Sequence, residues 1–320
     1  MDRSYLFAPG HNRKLLGKVF DAGADAVILD LEDAVPPTEK ETARANVASV
    51  ITTRTAWVRI NAPGTELADA DLGAVATSAH GIRIPKVETL DDIRWVADRA
   101  PGKPLICAIE TAKGVANAFA IAEHPAVTHI ALGGIDLQKD LGTGEGDAPM
   151  QYVRSHLVVA ARAAGIAPPI DSVYPHIHDS DGLVRQATHS RGLGLFGKSA
   201  VHPAQLPAIH TTFSPRQNDI DWARKVVEAF ENAGGAAVRL PGGEFVDLPV
   251  AERARKILAS TNSDSGLEAP RQPQVCRSSG ADTDGEAVHS PASAASSAPV
   301  KFGNRTVSSS TYQGPHHFSP

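Results

Sequence analysis

Glu110 and Asp136 are the residues that the sequence best equips for chemistry. Glu110 ends the apolar run Pro104-Leu-Ile-Cys-Ala-Ile109. Asp136 follows Thr128-His-Ile-Ala-Leu132 after Gly133-Gly-Ile. Each run reads as a buried parallel strand whose last residue meets solvent. In an α/β barrel the C-terminal strand ends form the active-site rim. Two hard oxygen donors there, with room for water and substrate, suit Mg²⁺. The competing reading is a pair of surface acids that cap the helices that follow.

Other strand ends add charge. The run 27–31 leads into Asp30, Glu32 and Asp33, three acids that repel unless cations, arginines or raised pKa values relieve them. They are expected either to cap a turn or to form an acidic wall beside a metal. Arg59 lies in Trp57-Val-Arg-Ile-Asn61, among buried residue types, so it needs a carboxylate partner from the protein or from a substrate. Lys86, after Ile82-Arg-Ile-Pro, and Lys198, placed after the last barrel strand, could each form a Schiff base or simply pair with an acid. His176 and His178 have a spacing that can bind a transition metal, but no third ligand is near in sequence, and a surface loop is expected. His202 precedes Pro203 at the start of a helix.

The elements that must hold these residues alternate. Apolar runs are expected as strands at 5–7, 26–31, 56–60, 81–84, 105–109, 129–132, 168–170 and 194–196. Amphipathic stretches between them include 12–22, 38–51, 90–100, 114–123, 150–164 and 181–190. This repeated β–α alternation predicts a (β/α)8 TIM barrel over residues 1–212. A doubly wound sheet is the rival, but the first strand is followed by Ala8-Pro-Gly-His-Asn12, without a G-x-G-x-x-G loop. Residues 213–259 add helices of a size suited to a lid or subunit contact. From 260 to 320 the chain is rich in Ser, Ala, Pro and Gly, and is expected to be disordered.

Composition excludes several classes. Apolar residues make up 42% of the 320, ordinary for a chain with a real core. A net charge of −5 gives no sign of a nucleic-acid or anionic-membrane partner. Cys107, in an apolar strand, and Cys276, in the tail, form no zinc or disulfide pattern. With no secretory h-region and no apolar run near ~18 residues, the expected compartment is the cytoplasm.

In order, the motifs resemble the citrate lyase beta-subunit-like proteins of the HpcH/HpaI aldolase/citrate lyase family. They are Ser4-Tyr-Leu-Phe-Ala-Pro-Gly10, Ile28-Leu-Asp-Leu-Glu-Asp-Ala-Val35, Val58-Arg-Ile-Asn61 and Ile84-Pro-Lys-Val-Glu88. They continue as Ile109-Glu-Thr-Ala-Lys-Gly114, Gly133-Gly-Ile-Asp-Leu137, Gly197-Lys-Ser-Ala-Val-His-Pro203 and Phe245-Val-Asp-Leu-Pro249. The resemblance spans residues 4–258. It implies a trimeric, Mg²⁺-dependent carbon–carbon lyase that cleaves or forms a 3-hydroxyacyl-CoA thioester, such as citryl-, malyl-, citramalyl- or hydroxymethylglutaryl-CoA. The products would be acetyl-CoA, or a related acyl-CoA, and a 2-oxo acid.

The resemblance also implies roles. Glu110 and Asp136 would hold the metal, with Glu110 also at the substrate. Arg59 would contact substrate, and Asp247 would be the acid–base group that a C-terminal lid brings over a neighbouring subunit's site. Asp30, Glu32, Asp33 and Lys86 would set the charge around the metal. One departure is visible: relatives often read Gly-Ala-Glu-Asp where this chain reads Gly133-Gly-Ile-Asp136. Alternatives are a metal-dependent aldolase of free 2-oxo acids, which usually carries Glu-His where this chain has Glu32-Asp33, and a non-catalytic subunit of a lyase complex.

Overall fold

The computed structural model describes residues 1–144 and 146–262. Of the tail expected at 260–320, residues 260–262 are helical, and the rest, with Cys276, lies outside the described residues. Parallel strands β1 (Ser4–Pro9), β2 (Ala26–Asp30), β3 (Trp57–Arg59), β4 (Gly81–Ile84), β5 (Leu105–Ile109), β6 (Val127–Leu132) and β7 (Lys198–Ala200) form one curled sheet. Its order is β6-β5-β4-β3-β2-β1-β7. Helices α1 (Arg13–Lys18), α2 (Lys40–Val50), α3 (Glu66–Val75), α4 (Leu90–Arg99), α5 (Ala112–Ala116) and α6 (Ala118–Ala122) alternate with the strands. They are followed by α7 (Gly134–Leu141), α8 (Gln151–Ala163), α9 (Ser180–Leu193) and α10 (Leu206–Phe213). The α/β class expected from the alternation is the one observed.

Two expected strands differ. Residues 168–170 make no strand, only a bridge from Ile170 to Ala131 of β6, with another from Asp171 to Lys198 of β7. Pro168 and Pro169 have no N–H to give a ladder, so pairing is limited to the residues after them. The last strand is not 194–196 but Lys198–Ala200. Gly194 closes α9 in the left-handed conformation, and Leu195 donates back to the Ser190 carbonyl. Gly197, at φ 83°, turns the chain before pairing begins. Lys198 therefore lies inside a strand rather than beyond it.

The strands are buried on both faces. One face, with Leu6, Leu29, Val58, Ile82 and Ile84, packs on the helices in the main core. The other encloses Tyr5, Ile28, Trp57, Ile106, Ala131 and Ile170. Gly81 makes room for Trp57, because a Cβ there would lie 2.3 Å from the indole. Two residues further along, on the same face by the strand period, stand Phe7, Asp30, Arg59 and Arg83. The interior thus changes from apolar to charged toward the C-terminal strand ends.

The helices open where the sequence caps them. In α4, Thr89 and Asp92 form a reciprocal capping box. Pro203 opens a helical turn, as its position predicted, and His202 accepts from the Ala204 N–H ahead of it. Beyond α10, α11 (Gln217–Asn232), the hairpin β8 (Val238–Arg239)–β9 (Phe245–Val246) and α12 (Leu248–Asn262) share a small core of their own. Phe230, Val226, Val246 and Ala254 are among its members. No helix of the described residues is long and apolar enough to cross a membrane.

Candidate functional site

A cavity of about 400 Å³ opens at the C-terminal strand ends, and Phe7, Asp30, Arg59, Arg83, Glu110 and Asp136 stand in its wall. Asp33, Ile135 and Ser172 also border it. The register explains the gathering. Asp30 pairs with Arg59, and Arg59 with Arg83, so all three project from one face of adjacent strands. Glu110 follows β5 directly. The Gly133 N–H donates to the Ile109 carbonyl at 2.9 Å, which continues β6 beside β5 and sets the first turn of α7, with Asp136, next to Glu110.

Half of the cavity's charge is tightly paired. Arg59 Nε and Nη2 donate to the two Asp30 oxygens, each at 2.7 Å, and Nη1 lies 2.9 Å from Glu32 Oε2. Asp30 also accepts from the Glu32 and Ala34 N–H groups, so the turn is capped by Asp30 and not by Glu32 or Asp33. Lys86 Nζ donates to Glu32 Oε1 at 2.6 Å and lies 3.3 Å from Asp33. Lys40, which sequence reasoning passed over, ties the turn down through the Leu31 and Glu32 carbonyls and Asn61. Burial raises the Glu32 carboxyl above its ordinary value, against the pull of Arg59 and Lys86.

The other half is not satisfied. Glu110 is 4% exposed, and its Oε2 is buried without a hydrogen-bond partner. Burial, and next the charge of Glu32, push its carboxyl up to about 7, although Arg83 and Arg59 pull the other way. Glycine at 133 leaves room for Glu110, because a Cβ would stand 2.3 Å from Glu110 Cγ. Arg83 is also 4% exposed, with Nε and Nη1 unpartnered. Burial and the neighbouring Arg59 pull its guanidinium down to about 10. The sequence signal for Arg83 was the one that marked Arg59, a charge alternating with aliphatics inside a strand.

This donor set fits Mg²⁺. Glu110 and Asp136 offer hard oxygens, one of them unpartnered, beside open volume for water. Among the described residues no group of three or more His, Cys, Asp or Glu is placed to hold a metal ion. Solvent or substrate oxygens would have to supply the remaining positions.

The lysines offer no amine nucleophile. Lys198 is fully buried and absent from the cavity wall, with Nζ donating to Asp171 Oδ2 at 2.6 Å, the Ser172 carbonyl at 2.7 Å and Gln186 at 2.8 Å. Burial draws on Lys86 as well, but the Glu32 hydrogen bond and the adjacent acids hold its ammonium well above the ordinary lysine value. His176 and His178 lie exposed on a surface loop.

Asp247 is not in the cavity wall. It caps α12, accepting from the Val250 N–H at 3.3 Å, between the exposed side chains of Phe245 and Leu248.

Residues 3–203 match the family model described as HpcH/HpaI aldolase/citrate lyase. The (3S)-malyl-CoA thioesterase of Cereibacter sphaeroides is 37% identical over 277 residues, covering 83% of this chain and 97% of the relative. The citrate lyase subunit beta of Escherichia coli K12 is 36% identical over 279 residues, covering 80% and 92%. The crystal structure of CitE from Mycobacterium tuberculosis, in complex with magnesium, acetoacetate and coenzyme A, matches with a TM-score of 0.72 at 30% identity, over 81% of this chain and 97% of that one.

Proposed function

We propose that this chain, which belongs to the HpcH/HpaI aldolase/citrate lyase family, is a Mg²⁺-dependent carbon–carbon lyase. Its substrate would be a 3-hydroxyacyl-CoA thioester bearing a carboxylate. Its products would be an acyl-CoA and a 2-oxo acid. The observation that carries this reading is the orphaned Glu110 oxygen beside Asp136 at the mouth of the strands. The family supplies the reaction class, and relatives crystallised with magnesium and coenzyme A support the metal and the thioester.

Glu110 and Asp136 would hold the ion. When bound, it would polarise the substrate's hydroxyl and forming keto oxygen. Arg59 is held rigid by Asp30 and Glu32, yet still borders the cavity, so its fixed charge would stabilise the negative charge that grows on the thioester oxygen during cleavage, or clamp the substrate. Glu32 helps to keep that arginine in place, and Lys86, paired with Glu32 and Asp33, would set the surrounding potential with them. Asp247 would give a proton to the α-carbon of the thioester enolate left by cleavage, or remove it in the condensation direction.

Asp247 would act from the C-terminal hairpin of a neighbouring copy. Its absence from its own cavity wall, its exposed apolar flanks and the separate core that carries it support such a lid, and with it a homo-oligomer such as a trimer. The bridges from Ile170 and Asp171 to the two outer strands support an eight-unit barrel closed at that point.

A Mg²⁺-dependent turnover screen against a panel of 3-hydroxyacyl-CoA thioesters tests the reaction. Stoichiometric acyl-CoA and 2-oxo acid are expected from at least one member, abolished by EDTA. Free coenzyme A without a 2-oxo acid would replace the lyase with a hydrolase. Asp247→Asn is expected to keep metal affinity and lose most turnover. Mixing it with Glu110→Gln protein should restore part of the activity if the two residues meet between subunits, whereas wild-type turnover by Asp247→Asn alone would remove its acid–base role.

A further inference from the structure

Arg83 is a second cation in the cavity, and it differs from Arg59 in one respect. Arg59 faces two carboxylates at 2.7 to 2.9 Å. Arg83 makes no ion pair among the described residues, and two of its nitrogens have no hydrogen-bond partner. Both guanidinium carbons stand over the Phe7 ring, at 5.0 Å for Arg59 and 5.1 Å for Arg83. The ring gives each a weak cation–π contact. That contact fills none of the N–H donors of Arg83.

Strand geometry leaves Arg83 little choice of direction. It stands between Ile82 and Ile84, which pack into the helix-facing core, so its side chain enters the interior. There it is 4% exposed and borders the cavity. A buried guanidinium without partners is costly, and arginine is seldom buried unpaired. Its planar fork matches the two oxygens of a carboxylate, the anion that a 2-oxo acid can offer.

We infer that Arg83 binds a carboxylate of the ligand, and that it makes the cavity prefer a 2-oxo acid carrying a second, distal carboxylate. This rests on the lyase reading, in which the carboxylate next to the oxo group would be taken up by the ion that Glu110 and Asp136 hold. A charged arginine then remains, and a further anionic group on the ligand would answer it. The plain alternative is that Arg83 is a charge partner of Glu110, with which it interacts electrostatically.

Calorimetric titration in Mg²⁺ separates the two. The probes are freshly dissolved oxaloacetate and 2-oxobutyrate, equal in chain length, one ending in a carboxylate and the other in a methyl. Wild type is expected to prefer oxaloacetate by about 10- to 100-fold, the range of a charge-assisted hydrogen bond. Arg83→Met should erase that preference and leave 2-oxobutyrate affinity unchanged. Arg83→Lys should keep part of it, and confirms that the loss is not misfolding. A preference that survives in Arg83→Met overturns the inference. So does an equal loss for both acids, which would assign Arg83 to Glu110 and the metal. If wild type binds both acids equally, this inference fails and the lyase reading stands. If wild type binds neither, the lyase reading fails and this inference with it.

Discussion

Two groups of buried charge in this molecule are built from the same residue types and differ in completeness. Behind the cavity, Asp171 joins Lys198, Arg154 and Ser190, at 2.6, 3.2 and 2.9 Å. Arg154 reaches Asp147 at 2.9 Å, and Lys198 has two further acceptors. Two cations meet two acids, so the group is neutral as well as bonded. In the cavity, Glu110 and Arg83 are as deeply buried and lack partners. Burial of charge does not by itself mark a functional site. The complete group is a fastener that joins the segment after Pro169 to β7, and the incomplete one is where a cation and an anion can be received.

Removing a member of the complete group should have the largest effect on stability. Asp171→Ala leaves Lys198 and Arg154 buried without their shared carboxylate, and should cost about 3–5 kcal/mol in urea denaturation. Despite burial, Lys198 and Arg154 hold the Asp171 carboxyl below its ordinary value. Its contribution is therefore present above the unfolded carboxylate range and is lost as pH falls through the lower folded value. A loss under 1 kcal/mol would remove the contrast between the two groups.

The incomplete group should respond to pH with the opposite sign. With its carboxyl pushed up to about 7, Glu110 keeps its proton in the folded protein where the unfolded chain has released it. Metal-free protein should lose stability from this group as pH rises from the ordinary carboxylate range to about 7, by up to about 3 kcal/mol. Glu110→Gln should lack that slope, and at pH 8 should be no less stable than metal-free wild type. Saturating Mg²⁺ should abolish or reverse the slope in wild type only. Thermal melts over pH 4–9 check all three.

Geometry offers a smaller perturbation. Gly133→Ala places a methyl 2.3 Å from Glu110 Cγ, and must displace that side chain or the strand end. About 1–2 kcal/mol of stability and roughly tenfold in Mg²⁺ affinity should be lost. Unchanged affinity would mean that Glu110 can move without consequence, and so is not held for a ligand.

Much of the site was legible because parallel strands are simple to read. A buried run that ends in one charged residue places that residue at the rim, and Asp30, Arg59, Glu110 and Asp136 meet in one cavity as the alternation implied. The segments 168–170 and 194–196 misled because their apolar residues lie beside prolines and left-handed glycines that set where hydrogen bonding can start. Arg83 carried the same alternating signal as Arg59, but its state did not show. Ile82 and Ile84 read as core, and nothing in the sequence tells a paired arginine from an unpaired one. Pairing depends on register across strands, and register also turned Arg59 toward Asp30. The position of Asp247, outside its own cavity, follows from the packing of α11 on α12, which local patterning does not encode.

Equilibrium titration of metal-free wild type, Glu110→Gln and Asp136→Asn with Mg²⁺ at pH 8 bears most directly on the unsatisfied carboxylate. Wild type should bind one ion per chain, and each variant should lose about 100-fold or more in affinity while its far-UV spectrum stays native. Equal affinity in wild type and Glu110→Gln would contradict the assignment of the cavity's metal site to Glu110.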